Sequence, residues 1–170
     1  MEYELFDKYF EIRTEIDVLV ESLFNIHKKQ VNCKIGCSSC CMNFSILPIE
    51  FYAIKGKINN KLKDINVTEK DETSCLFLAE EKCLIYEFRP IICRTHGTPI
   101  LYMSDDENFE LSVCDLNFTD FDIDQFNDKN TLMLDAYNSK LFSLNQEFLK
   151  ISENKHSAFE LVSLNKLLNL

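Results

Sequence analysis

Over the first thirty positions apolar residues recur on one side of a helical wheel. Leu5, Tyr9, Ile12, Ile16, Leu19, Leu23 and Ile26 follow one another at alternating steps of four and three, the period of an amphipathic helix. Phe6, Val20 and Phe24 widen the stripe. The pattern predicts a helix over 4–30 with this face on the domain's own core; the other use of such a stripe is a homodimer seam. Pro48 opens a second predicted helix, with Leu47, Phe51, Ile54, Ile58 and Leu62 on its buried face and Gly56 weakening its middle. Residues 63–74 are polar and read as a loop. From 75 to 114 the runs shorten. Cys75 to Leu78 and Cys83 to Tyr86, joined by Ala79-Glu-Glu-Lys, predict one hairpin; Thr98 to Met103 and Phe109 to Val113, around a polar 104–108, predict another. Glu87 to Cys93 reads as a turn of helix. Helical spacing returns at Leu134, Tyr137, Leu141, Leu144, Phe148 and Ile151. Ser157 with Glu160 then has the form of a capping box ahead of Phe159, Val162 and Leu167, so helices are expected over 131–169. The architecture is a mostly α single domain, 1–170, in which helices flank a small irregular cysteine-rich centre of about 33–114 with short β-hairpins.

Composition narrows the function classes. The chain has 170 residues, 46% of them hydrophobic and 27% charged, and a formal net charge of −10, which is ordinary for a globular domain. The acidic balance argues against nucleic-acid binding and against an anionic membrane surface, both of which need a basic face. No apolar run approaches the ~20 residues of a bilayer span. Glu2, Glu4 and Asp7 open the chain where a secretory signal would be basic and then apolar, so the expectation is a cytoplasmic, reducing setting. Only three glycines are present, at 36, 56 and 97, and no phosphate-cradling glycine loop can be written from them.

The unusual number is eight cysteines: Cys33, Cys37, Cys40, Cys41, Cys75, Cys83, Cys93 and Cys114. In a reducing compartment, clustered cysteines point to metal ligation or redox chemistry before structural disulfides. Cys37 and Cys40 have the C-x2-C spacing that turns two sulfurs toward one ion, and Gly36 supplies backbone freedom just ahead of them. Cys33 is near enough to be a third ligand. Cys40 and Cys41 are adjacent, so their side chains diverge; they suit two centres, or one cluster approached from two sides. Eight thiolates are enough for two four-thiolate sites, or for one cluster with spare cysteines. Soft sulfur donors favour zinc or an iron–sulfur cluster over magnesium or calcium. His96, three residues after Cys93, is a candidate additional ligand or a donor beside the centre, whereas His27 and His156 read as surface residues. Asp105-Asp-Glu107 reads as a solvated turn. Asp120, Asp122 and Asp124 imitate the start of a calcium loop, but Gln125 and Thr131 stand where its glycine and closing glutamate belong.

Cys33-Lys-Ile-Gly-Cys-Ser-Ser-Cys-Cys41, Cys75-Leu-Phe-Leu78 and Cys83-Leu-Ile-Tyr-Glu-Phe-Arg-Pro-Ile-Ile-Cys-Arg94 together resemble the YkgJ-type cysteine-cluster family, the zinc- or iron-chelating CxxCxxCC domain. The likeness spans roughly 33–114 and leaves the flanking helices outside. Ser38, Leu76 and the run Thr95-His-Gly97 depart from the family's usual residues, but no cysteine is lost. The resemblance implies metal binding by the eight cysteines and supplies no reaction. Arg89 and Arg94 fall inside the motif; their guanidinium groups can offset thiolate charge from just outside the ligands or form salt bridges, for example with Glu87. Three functions follow as expectations: a metalloprotein with zinc or an iron–sulfur cluster and a redox or electron-transfer role beside a redox partner, a structural zinc module that binds a protein partner, or a metalloenzyme with an open metal position near His96 acting on a protein or peptide.

Overall fold

The computed structural model describes residues 2–34, 36–58, 73–153 and 155–168. The polar loop expected at 63–74, with Leu62 before it, lies largely outside them. Four helices carry the frame: α1 (Glu2–Ile26), α2 (Pro48–Ile58), the short α3 (Ile91–Thr95) and α4 (Asp135–Ile151). About 46% of the structure is helical and 13% is strand, which makes the fold helix-dominated, as the periodicity implied. No described helix is long and apolar enough to cross a membrane.

The first helix packs on α4, α2 and α3. Leu5, Tyr9, Ile16, Val20 and Leu23 form its buried face. The stripe read from the sequence averages 3.5 residues per turn, so it drifts around a straight helix of 3.6. By its last turns Leu19 and Ile26 have rotated outward, to 38% and 54% exposure, and Val20 and His27 lie inside instead. His27 is therefore not a surface residue. It is 2% exposed, sits edge-on to Phe118 and Phe121, and its Nε2 meets the Asn130 carbonyl at 2.7 Å. His156 is also largely covered, held between the Tyr52 hydroxyl and Glu160.

Polar residues complete the helical frame. Asn145 of α4, wholly buried, accepts the Ile49 N–H at 3.1 Å, one of the donors that the first turn of α2 leaves without a helical partner. Glu50 of α2 is buried against Tyr9 of α1 and the first N–H of α3. Each fully buried large apolar side chain contributes about 1.5–3 kcal/mol. Tyr9, Ile16, Ile49, Ile54, Ile58 and Phe148 are all at 0% exposure, so α1, α2 and α4 hold together on their own core.

Strands are short. β1 (Ser45–Ile46) pairs antiparallel with β7 (Val162–Ser163), and β2 (Leu78–Ala79) pairs with β3 (Lys82–Cys83). β4 (Ile100–Met103) takes β5 (Phe109–Ser112) antiparallel on one edge and β6 (Leu132–Met133) parallel on the other. Both predicted hairpins are present. The first turns through Glu80 and Glu81, both at positive φ (48° and 60°), the backbone that a two-residue hairpin turn demands.

The C-terminal expectation is corrected at both ends. Residues 132–133 are strand, and α4 begins only at Asp135. The Glu160 carboxylate does accept the Ser157 N–H at 3.1 Å, which is half of a capping box, yet no α-helix follows. The chain instead runs extended to pair with β1 and closes with a 3₁₀ turn at Leu164–Leu168. Long-range pairing has overridden the local capping pattern.

Candidate metal centre

Leaving α1, the chain is fastened by Asn117, whose side-chain Oδ1 accepts the Asn32 N–H at 2.8 Å. Phe118 N–H also reaches the Gln30 carbonyl at 2.9 Å. Tight turns then carry the cysteine loop: Cys37 N–H bonds the Lys34 carbonyl and Cys41 N–H the Ser38 carbonyl. Gly36 has φ +93°, left-handed backbone that suits glycine and bends the chain just ahead of Cys37.

Beyond Cys41 the loop is laid against the segment that holds Cys75. Met42 bridges Ser74, and Asn43 N–H bonds the Thr73 carbonyl at 2.7 Å. The C-terminal tail locks both strands of this contact. Asn165 accepts the Leu76 N–H and donates to the Ser74 carbonyl, while Ser163 donates to Asn43. The β2–β3 hairpin then brings Cys83 level with Leu78. Pro90 stands at the N-cap of α3, which carries Cys93.

The product is a cavity of 470 Å³ lined by Cys37, Cys40, Cys41, Cys75, Cys83 and Cys93, with Leu78, Ile85 and Leu164 as apolar wall and Lys34, Lys82 and Arg89 as its cationic groups. Six cysteines from the loop, the hairpin and α3 thus face one space. Cys33 and Cys114 are not in its wall. They meet at Asn117, which donates its side-chain N–H to Cys33 Sγ at 3.5 Å and its backbone N–H to the Cys114 carbonyl at 2.9 Å. Gly97 lies so close that a Cβ on it would stand 2.8 Å from Cys33 Sγ.

Electrostatics differ from thiol to thiol. Cys40 is lowered to about 6, chiefly by a hydrogen bond from Cys41, with smaller help from the charges of His96 and Arg89. Cys41, the donor in that bond, is pushed up by it and by burial. Burial raises Cys93 to about 12, and raises Cys33 and Cys83 as well. The thiol of Cys40 is thus primed as a thiolate, while Cys33, Cys41, Cys83 and Cys93 are held protonated.

The two arginines take different positions. Arg89 lines the cavity, stacks its guanidinium 3.8 Å over the Tyr86 ring and donates to the Cys93 carbonyl. Arg94 turns to α1. Its Nη1 donates to both Asp17 carboxylate oxygens at 2.7 Å, and its other nitrogens reach the carbonyls of Arg89 and Glu87. Its salt-bridge partner is Asp17; from Glu87 it takes only the backbone carbonyl. His96 presses Nδ1 on the Ile92 carbonyl and its ring on Phe44. A carbonyl can only accept, so Nδ1 is the donor in that contact. Asp122, in the acidic run, caps its own turn by accepting the Asp124 N–H.

Among the described residues no cysteine is in a disulfide, and no group of three or more His, Cys, Asp and Glu side chains stands arranged to hold an ion. Ligation requires the thiols to be deprotonated. The donor set itself fits zinc or iron: sulfur-rich, soft, with no carboxylate in the wall except Glu81. Asn117 and Gly97 carried no readable role in the sequence. The scarcity of glycine was the one signal at position 97.

No curated protein and no solved structure matches this chain. A family model matches residues 32–115, just under half of the chain and the part that carries all eight cysteines. By that match residues 32–115 are a CxxCxxCC domain, a family described as zinc- or iron-chelating.

Proposed function

We propose that the chain is a metal–thiolate protein in which Cys33, Cys37, Cys40, Cys41, Cys75, Cys83, Cys93 and Cys114 hold zinc or iron, with His96 Nε2 and Arg89 at the margin of the site. The observation that carries the reading is the convergence of six cysteines, drawn from stretches far apart in sequence, on one 470 Å³ cavity. That volume falls within the range of sites that take small ligands, about 300–1,000 Å³, so an iron–sulfur cluster is accommodated as readily as a single ion. In the iron–sulfur form the protein serves electron transfer, the cluster supplying the redox chemistry. The protein then hands electrons to a redox partner near the half-buried cysteine loop. Arg89 and His96 favour thiolate at Cys40 and so assist loading.

A second reading has its own support. Between Cys75 and Cys114 the large buried apolar side chains are Phe77, Ile85 and Ile91, so a zinc ion there can act as the core of that stretch, leaving the helices to meet a protein partner. Metal and acid-labile sulfide analysis of protein purified without oxygen decides between them. Iron with sulfide and dithionite-bleached visible absorption supports the first reading; colourless protein with stoichiometric zinc supports the second. Protein that folds with neither metal and takes up neither overturns both.

A further inference from the structure

We propose that the groove between α1 and α4 is a docking site for a helix of another protein, one with apolar residues at heptad spacing flanked by lysine or arginine. The proposal goes beyond the metal reading and stands whichever metal the cysteines hold, because no groove residue belongs to the cysteine cavity.

The groove follows from the sequence period. Leu5, Ile12, Leu19 and Ile26 of α1 stand seven residues apart, and so do Tyr137, Leu144 and Ile151 of α4. The two helices pack together, and their rows run in opposite directions along one seam. Leu5 shares a hollow with Ile151, Ile12 with Leu144, and Leu19 with Tyr137. These hollows overlap: Lys8 and Glu147 line the first two, Glu11 and Glu15 the second and third. Past Tyr137 the groove continues between Ile26 and Met133. From Glu4 to Ile26 it is about 30 Å long at the helical rise.

A row that repeats every seven residues is the seam a neighbouring helix follows when it crosses at about 20°. The walls carry matching holes. Leu19, Ser22, Leu23 and Ile26 border a hollow of 240 Å³, and Ala136, Ser139, Lys140 and Ser143 border one of 550 Å³. Each set has the i, i+3, i+4, i+7 spacing that receives one side chain of a facing helix. Ala136, Ser139 and Ser143 are small, so the backbone of a third helix can come close. Leu19, Ile26, Met133 and Ile151 are exposed, and a docked helix removes that apolar surface from water.

Charge selects the occupant. Lys8–Glu147 and Glu15–Lys140 bridge the seam and offset each other. Along α1 and α4 the other wall charges are Glu4, Asp7 and Glu11 against Lys150, an acidic excess. A second copy brings the same excess and a net charge of −10, so like charges oppose it. A basic helix meets complementary charge.

The test uses the full chain and a fluorescent synthetic helix with leucine at a and d and lysine at e and g, followed by anisotropy. Two control peptides are a scrambled sequence of the same composition and one with glutamate for each lysine. The heptad lysine peptide is expected to bind at least about tenfold more tightly than either control. The double variant Leu19→Glu, Ile26→Glu is expected to lose at least about tenfold of that affinity. Both positions are exposed, and far-UV circular dichroism confirms that the helices are retained. Phe159→Glu, at an exposed apolar residue off the groove, is expected to change nothing. Equal binding of the scrambled or glutamate peptide, undiminished binding by the double variant, or no binding of the heptad peptide overturns the proposal. A dimer of the chain alone in sedimentation, dissociated by Leu19→Glu, gives the groove to a second copy and overturns it as well. Metal content measured on the same samples tests the metal reading separately, and its failure leaves the groove result standing.

Discussion

Glu50 accepts the Ile91 backbone N–H at 3.0 Å through the same carboxylate oxygen that takes the Tyr9 hydroxyl. One buried oxygen therefore joins α1, α2 and the first turn of the helix that carries Cys93. Burial raises this carboxyl from 4.5 to about 7, against the lowering effect of its two hydrogen bonds.

The folded chain thus holds the Glu50 proton more tightly than the unfolded chain does. Its contribution to stability is complete below about pH 4.5 and is lost as pH rises through 7. At 1.36 kcal/mol per unit the loss is roughly 3 kcal/mol. Glu50→Gln keeps an oxygen for both donors and cannot ionise. Urea unfolding of metal-free protein at pH 5 and pH 8 should show a fall in stability for wild type that the variant lacks. Equal pH dependence in the two proteins would sink this assignment.

Alkylation should be selective in reduced, metal-free protein. Cys40, lowered to about 6, is thiolate at neutral pH, while Cys33, Cys83 and Cys93 are raised. Because the thiolate is the nucleophile, brief iodoacetamide treatment at pH 7 should mark Cys40 first in peptide mass spectra. The labelling rate should level off above about pH 7. First labelling of Cys93 would contradict the electrostatics of the loop.

Two glycines predict opposite signs for one substitution. Gly97 sits at φ +92° with Cys33 Sγ where a Cβ would go. Left-handed backbone costs other residues about 1–2 kcal/mol, and the contact adds to it, so Gly97→Ala should destabilise by about 2 kcal/mol or more and speed Cys33 modification. Gly56 lies within α2 with nothing near its Cβ position, and Gly56→Ala should stabilise by about 0.5–1 kcal/mol. Denaturant midpoints read both.

Arg94 ties α3 to α1 through Asp17. Its side chain is 10% exposed and that of Asp17 is 40%, so the pair lies between buried and surface behaviour. Arg94→Lys keeps the charge but cannot also serve the Glu87 and Arg89 carbonyls. A loss of about 1–2 kcal/mol is expected, rising to about 2–3 for Arg94→Ala. Unfolding curves with unchanged midpoints for both variants would remove the strut from the account.

What could be read in the chain beforehand was local. The stripe from Leu5 to Leu23 specified a helix because its period is intrinsic, and Ala79-Glu-Glu-Lys specified a turn because it is a short polar break between two apolar runs. The four cysteines between Cys33 and Cys41 announced soft-metal chemistry by density alone. What stayed hidden depends on distant partners. His27 looked like a helix-end residue, yet Phe118, Phe121 and Phe126 close over it from about a hundred residues away. Glu50 and Asn117 are ordinary polar letters until burial gives each several obligations. Ser157 and Glu160 wrote a helix start that pairing between β1 and β7 cancelled.

That pairing bears on how the module can be handled. The strand at Val162–Ser163, with Leu164 on the cavity wall and Asn165 clasping 74 and 76, lies some fifty residues past the end of the family match. Anyone who excises 32–115 for transplantation leaves the clasp behind. A working graft has to carry the tail, as a second piece if need be, and clipping the last dozen residues is a way to loosen the cysteines without altering one of them.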